Sequence, residues 1–170
     1  MSKQITYKPY KPEILKKLHI VQLNMLKDID VFCRKYDIHY FAVSGTALGA
    51  VRHKGYIPWD DDIDIAMLRD DYLKMLEHRD ELQPKYTLFS ADCENKYYNF
   101  VPIISMNDTR MIVPLSKDVF DTGIFIDVFL YENIPDDPQE AKKYISKLLL
   151  SSMANGYVIL IFRIVYPFMR

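Results

Sequence analysis

The segment Asp60-Asp61-Asp62-Ile63-Asp64-Ile65-Ala66-Met67 limits the folds open to this 170-residue chain more than any other. The period of two of a β-strand puts Asp60, Asp62 and Asp64 on one face and Ile63, Ile65 and Met67 on the other. Isoleucines interleaved with acids mark a half-buried strand, not a solvated acidic turn. The chain must then supply a core for one face and a chemical reason for the other. Carboxylates this crowded resist ionising together unless a cation or a proton intervenes, and a divalent metal meets that need. On this alternation Asp62 and Asp64 are the candidate ligands, Asp61 falls on the opposite side, and the role of Asp60 stays open.

What precedes the acids narrows the chemistry. Tyr40-Phe41-Ala42-Val43-Ser44 reads as a short strand that stops at Gly45, and Thr46 to Val51 allows a helical turn. Gly49 and Gly55 permit the close backbone approach that a phosphate requires, Arg52, His53 and Lys54 add positive charge, and Pro58 returns the chain to extended geometry. A calcium loop of the EF-hand type would also use Asp60, Asp62, Asp64 and Asp71 at its first, third, fifth and twelfth places. Its sixth place, however, demands Gly and here holds Ile65. Simple charge pairing with Arg52 and Lys54 would leave the glycines unexplained. Blander roles stay open residue by residue: Thr46 as a helix cap, Arg52, His53 and Lys54 as surface groups, and Trp59 as packing ahead of a base-stacking role.

The remaining elements interleave helices and strands without an internal repeat. Ile14, Leu18, Val21, Met25, Ile29, Phe32 and Tyr36 recur every three or four positions after Pro12, which predicts an amphipathic helix. A second helix is expected over Asp70 to Glu81, closed by Pro84, and strands over Tyr86 to Ser90, Phe100 to Met106 and Gly123 to Tyr131. The aspartate strand then sits inside the sheet. In the last strand Ile124, Ile126, Val128 and Leu130 share one face, while Asp127 lies among aromatics on the other, either as an edge-strand acid or as a third partner for Asp62 and Asp64.

Gln139 to Ala154 reads as a helix stopped by Asn155-Gly156. The apolar run after it, 157–169, is interrupted by Arg163 and too short to span a bilayer, which leaves packing, self-association or a membrane surface. A formal net charge of -1 and no block of five like charges argue against a nucleic-acid partner. Cys33 and Cys93 form no metal-binding pair with a histidine and read as packing thiols of a reduced protein. The first residues lack the apolar core of a signal peptide, so a cytoplasmic location is expected.

The stretch from Gly45 to Asp64, with Asp127 on a later strand, resembles the nucleotidyltransferase superfamily and, more closely, the LicD/fukutin family. The resemblance runs from about Ile14 to Tyr131 and implies an α+β fold, a nucleotidyltransferase-like mixed β-sheet with packed helices. It implies one domain over 1–170 with its core in 12–131, and a C-terminal helical segment, 139–170, that is short or truncated for the family. It further implies transfer of a phospho-alcohol, such as phosphocholine, from a CDP-linked donor to a sugar hydroxyl of a glycan or lipid-linked acceptor, with release of CMP, in the cytoplasm or at the inner face of the membrane. Asp62, Asp64 and Asp127 would be the catalytic residues and would bind Mg2+ or Mn2+, with Asp127 as ligand in preference to base. Gly45, Thr46, Arg52, His53 and Lys54 would bind the donor phosphates. Two other readings use the same residues: a nucleotidyltransferase that releases pyrophosphate, and a non-catalytic module that binds a nucleotide or sugar phosphate.

Overall fold

A computed structural model describes residues 10–93, 101–111 and 122–154, with side chains up to residue 147. They divide into two compact units, Met1–Glu132 and Asn133–Arg170. In the first, helix α1 runs from Pro12 to Lys35 with its proline in the first turn, where the missing N–H costs no helical hydrogen bond. Its inner face buries Leu18, Gln22, Met25, Ile29, Phe32 and Cys33. Strand β1 (Phe41–Ala42), helix α2 (Ser44–His53), strand β2 (Asp64–Leu68) and helix α3 (Arg69–Glu77) come next. A 3-10 turn, Arg79–Leu82, leads to strands β3 (Tyr86–Phe89), β4 (Ile103–Met106) and β5 (Phe125–Tyr131).

The five strands form one mixed sheet in the order β1-β2-β5-β4-β3. The β2–β5 pair is parallel and the others are antiparallel. The architecture is α+β, and the aspartate strand lies inside the sheet, as expected. One face of the sheet contributes Ile65, Met67, Leu88, Ile104, Ile126 and Val128 to a core shared with Met25 and Ile29 of α1 and Tyr72 and Met75 of α3. Burying each such side chain stabilises the fold by about 1.5–3 kcal/mol relative to leaving it in water. Both described thiols are free, and Cys33 packs in this core, where burial pushes its thiol up to about 12.

Several boundaries differ from the periodicity. β2 begins at Asp64, not Asp60, because Asp60 closes a turn by donating its N–H to the Ile57 carbonyl (3.0 Å). The strand ahead of Gly45 is two residues long, and Ser44, with φ 48°, turns the chain directly into a helix of ten residues where a single turn was expected. α3 stops at Glu77 and tightens into the 3-10 turn, so the helix expected over Asp70 to Glu81 is split.

In the second unit, helix α4 spans Pro138–Ala154. The Asp137 carboxylate accepts the N–H groups of Gln139 (3.0 Å) and Glu140 (2.8 Å), which caps the helix start. The expected stop at Asn155-Gly156, the apolar run 157–169 and the start of the expected strand at Phe100 lie outside the described residues. Among the described residues no helix is long and apolar enough to cross a membrane.

Candidate active site

The parallel pairing of β2 and β5 sets Asp64 directly beside Asp127. Neighbouring strands lie about 4.8 Å apart and paired residues share a face, so the register alone brings these two carboxylates together. Asp62, two residues ahead of Asp64, completes the group: Asp62, Asp64 and Asp127 each offer a carboxylate oxygen within 4.8 Å of the others. Asp60, Asp61 and Asp62 do the same. The assignment of Asp61 to the opposite side is therefore corrected. Alternation holds only within a strand, and 60–63 precede it.

The electrostatics follow from this crowding. Burial, then the charges of Asp64, Asp60 and Asp61, push the Asp62 carboxyl up to about 7. Burial, then Asp64 and Asp62, push Asp127 up to about 7 as well. Asp64 is also raised, by burial and by Asp60, but hydrogen bonds from the Gly45 N–H and the Ser44 side chain favour its ionised form.

Those bonds come from the N-terminus of α2, which the fold places against β2. The Thr46 hydroxyl accepts the Asp64 N–H (2.8 Å), so it ties α2 to the strand instead of capping its own helix. Gly45 lets the Asp60 carboxylate approach: a Cβ there would stand 2.5 Å from Asp60 Oδ2. Gly49 lets the chain double back along α2, since a Cβ at 49 would lie 2.5 Å from the Gly55 carbonyl oxygen and 2.9 Å from the Ile57 nitrogen. The returning stretch of chain is what delivers Asp60 to Asp62 to the helix start.

Arg52, His53 and Lys54 sit elsewhere. They close the C-terminal end of α2, about 10–13 Å along the helix from Gly45 at 1.5 Å per residue. Arg52 Nε donates to His53 Nε2 (2.9 Å), and both are exposed. Gly45 and Thr46 thus join the carboxylates, while the basic trio stands apart. Trp59 is 73% exposed and meets His53 edge-on at 6.2 Å between centroids, which overturns the packing role expected for it.

Four contributors went unread in the sequence: Ser44, Tyr56, His19 and Gln22. His19 Nε2 lies 2.6 Å from the Asp60 carbonyl oxygen and its ring stacks on Tyr56 at 3.9 Å. Gln22 Nε2 donates to the Asp61 carbonyl (3.1 Å). The readable signal for Gln22 was a polar residue at helical spacing between Leu18 and Met25, on the apolar stripe.

The donor set suits a hard dication. It is all oxygen, and it carries more negative charge than it can hold ionised at neutral pH. Mg2+ or Mn2+ fits that chemistry better than a softer metal.

The family description "LicD/FKTN/FKRP, nucleotidyltransferase domain" matches residues 37–142. The chain is 33% identical over 126 residues to the lipopolysaccharide cholinephosphotransferase LicD of Haemophilus influenzae, a match covering 74% of this chain and 47% of that protein. It is 39% identical over 79 residues to uncharacterized proteins of Rickettsia prowazekii and Rickettsia typhi, covering 46% of this chain and 27% and 24% of theirs. The chain therefore spans about half the length of the Haemophilus relative, and less of the others.

Proposed function

Because this chain belongs to the LicD/FKTN/FKRP family, we propose that it is a metal-dependent phosphotransferase that moves a phospho-alcohol, phosphocholine foremost, from a CDP-linked donor to a sugar hydroxyl of a glycan, releasing CMP. The observation that carries the reading is the register of Asp64 against Asp127, with Asp62 completing a group of carboxylates within 4.8 Å.

In this reading Asp62, Asp64 and Asp127 hold Mg2+ or Mn2+, and the ion when bound supplies charge neutralisation for the transferring phosphate and the leaving nucleotide. The N-terminal end of α2 faces that position with the positive end of its dipole. Thr46, whose oxygen is taken by the Asp64 N–H, keeps its own hydroxyl hydrogen to donate to a phosphate oxygen. Arg52, His53 and Lys54 meet the donor away from the reacting phosphate, as their place at the far end of α2 requires, and the exposed Trp59 offers a flat face to its base. The acceptor is a glycan or lipid-linked sugar, consistent with the lipopolysaccharide named for the Haemophilus relative.

The test is CMP release from CDP-choline and CDP-ribitol in the presence of Mg2+ and a sugar acceptor. Asp62→Ala and Asp64→Ala should each lower turnover by about 100-fold, close to 2.7 kcal/mol of barrier. Equal turnover in wild type and both variants would overturn the assignment. The family description also names a nucleotidyltransferase domain, and pyrophosphate release from a nucleoside triphosphate would identify that chemistry instead.

A further inference from the structure

Gln22 is 1% exposed, a polar side chain sealed between α1 and the carboxylate-bearing segments. Its amide hydrogens go to two different pieces of backbone. Nε2 donates to the Asp61 carbonyl at 3.1 Å and to the Phe125 carbonyl at 3.4 Å. Its Oε1 accepts the Tyr56 hydroxyl at 3.2 Å. Asp61 stands one residue before Asp62, and Phe125 stands two before Asp127. The Ile63 carbonyl accepts the Asp127 N–H at 3.0 Å and the ladder pairs β2 from Asp64 onward, so the position of Asp62, just ahead of that tie, depends on what fixes the chain before it. One amide therefore bridges the two segments whose carboxylates must converge.

The surrounding contacts reinforce this bridge. His19, three residues earlier on α1, reaches the Asp60 carbonyl at 2.6 Å and stacks on Tyr56 at 3.9 Å. Consecutive carbonyls, those of Asp60 and Asp61, are thus held from the same helix, and Tyr56 orients the amide that holds the second. A buried amide with both hydrogens and an oxygen lone pair engaged has no slack: an apolar replacement strands two carbonyls, and a carboxylate sets acceptors against acceptors.

We propose that Gln22 is a positioning residue that sets the spacing of Asp62 against Asp127 for a divalent cation; the inference rests on the metal site proposed above. Residues that orient metal ligands through hydrogen bonds are worth about 10–100-fold in metal affinity. Gln22→Met fills nearly the same volume without the donors, so it should weaken Mn2+ binding to the full chain, read by water-proton relaxation, by about tenfold. Tyr56→Phe, which frees only the amide oxygen, should weaken it less and in the same direction. Ile29→Ala, buried two turns further along the same helix and not a partner in these hydrogen bonds, should lower the urea midpoint and leave Mn2+ affinity unchanged.

Affinity in Gln22→Met equal to wild type overturns the proposal and leaves the metal site standing. An equal loss in Ile29→Ala at matched stability also overturns it, because general loosening would then account for the effect. Failure of wild type to bind Mn2+ removes the metal site itself, a result visible before any variant is made.

Discussion

Asp62 and Asp127 are acids whose folded forms hold their protons up to about pH 7, against 3.8 for the unfolded chain. The folded state binds more protons than the unfolded state between those values, so stability falls as pH rises through them. The stabilising contribution is complete below pH 3.8 and is lost by the time pH passes about 7. Asp28, lowered chiefly by its hydrogen bond from Lys85, and Glu81, lowered chiefly by Lys35, act in the opposite sense and lower in pH, below their ordinary carboxylate values. Urea titrations of the metal-free protein should accordingly give a midpoint that declines from about pH 4 to 7, a decline that saturating Mn2+ removes. Asp127→Asn should remove about half of that decline, since Asp62 keeps its own raised value, and should stabilise the metal-free protein at pH 8 by about 1 kcal/mol. A flat profile would contradict the crowding of these carboxylates. Thr46 carries a separate prediction. Thr46→Val keeps the shape but leaves the Asp64 N–H without its acceptor, at a cost of about 1–3 kcal/mol in denaturant unfolding.

At the scale of elements, α2 and the chain returning along it decide which motif residues meet. Gly49 is the contact point, and the atoms a Cβ would strike are backbone atoms of Gly55 and Ile57, which cannot rotate away. Gly49→Ala should therefore cost about 1–3 kcal/mol by urea denaturation and, because the displaced chain leads to Asp60 and Asp61, should also weaken Mn2+ binding. A stable variant with unchanged affinity would show that the returning chain does not set the site. The same elements explain what could be read in advance. Asp64 and Asp127 were legible because each sits in a strand whose alternate residues are apolar, so side-chain direction followed from local pattern. Alternation misplaces Asp61 because 60–63 lie ahead of the strand, where the Asp60 to Ile57 hydrogen bond makes a turn. Closeness in sequence does not bring the basic trio to Gly45, because a helix through His53 carries Arg52 to its far end. Gln22 stayed hidden because its function lies entirely in contacts made 39 and 103 residues away, which no periodicity encodes.

For the whole molecule, the division at Glu132 separates the sheet and the site from residues 133–170. All five strands, the core residues from Met25 to Val128 and all the carboxylates of the site belong to Met1–Glu132. The ion pair of Arg69 with Glu132 also lies inside that unit and fixes the end of β5 to the start of α3. Among the described residues the buried cluster lies within this one segment, a core of its own is what lets a domain fold alone, and 132 residues is an ordinary domain size. The chain ended at Glu132 should therefore unfold in a single cooperative urea transition and bind Mn2+ with the affinity of the full chain. Loss of cooperativity in the shorter chain, with the full chain intact, would show that residues 133–170 complete the core. Retained cooperativity with lost Mn2+ binding would show instead that they hold the carboxylates in place.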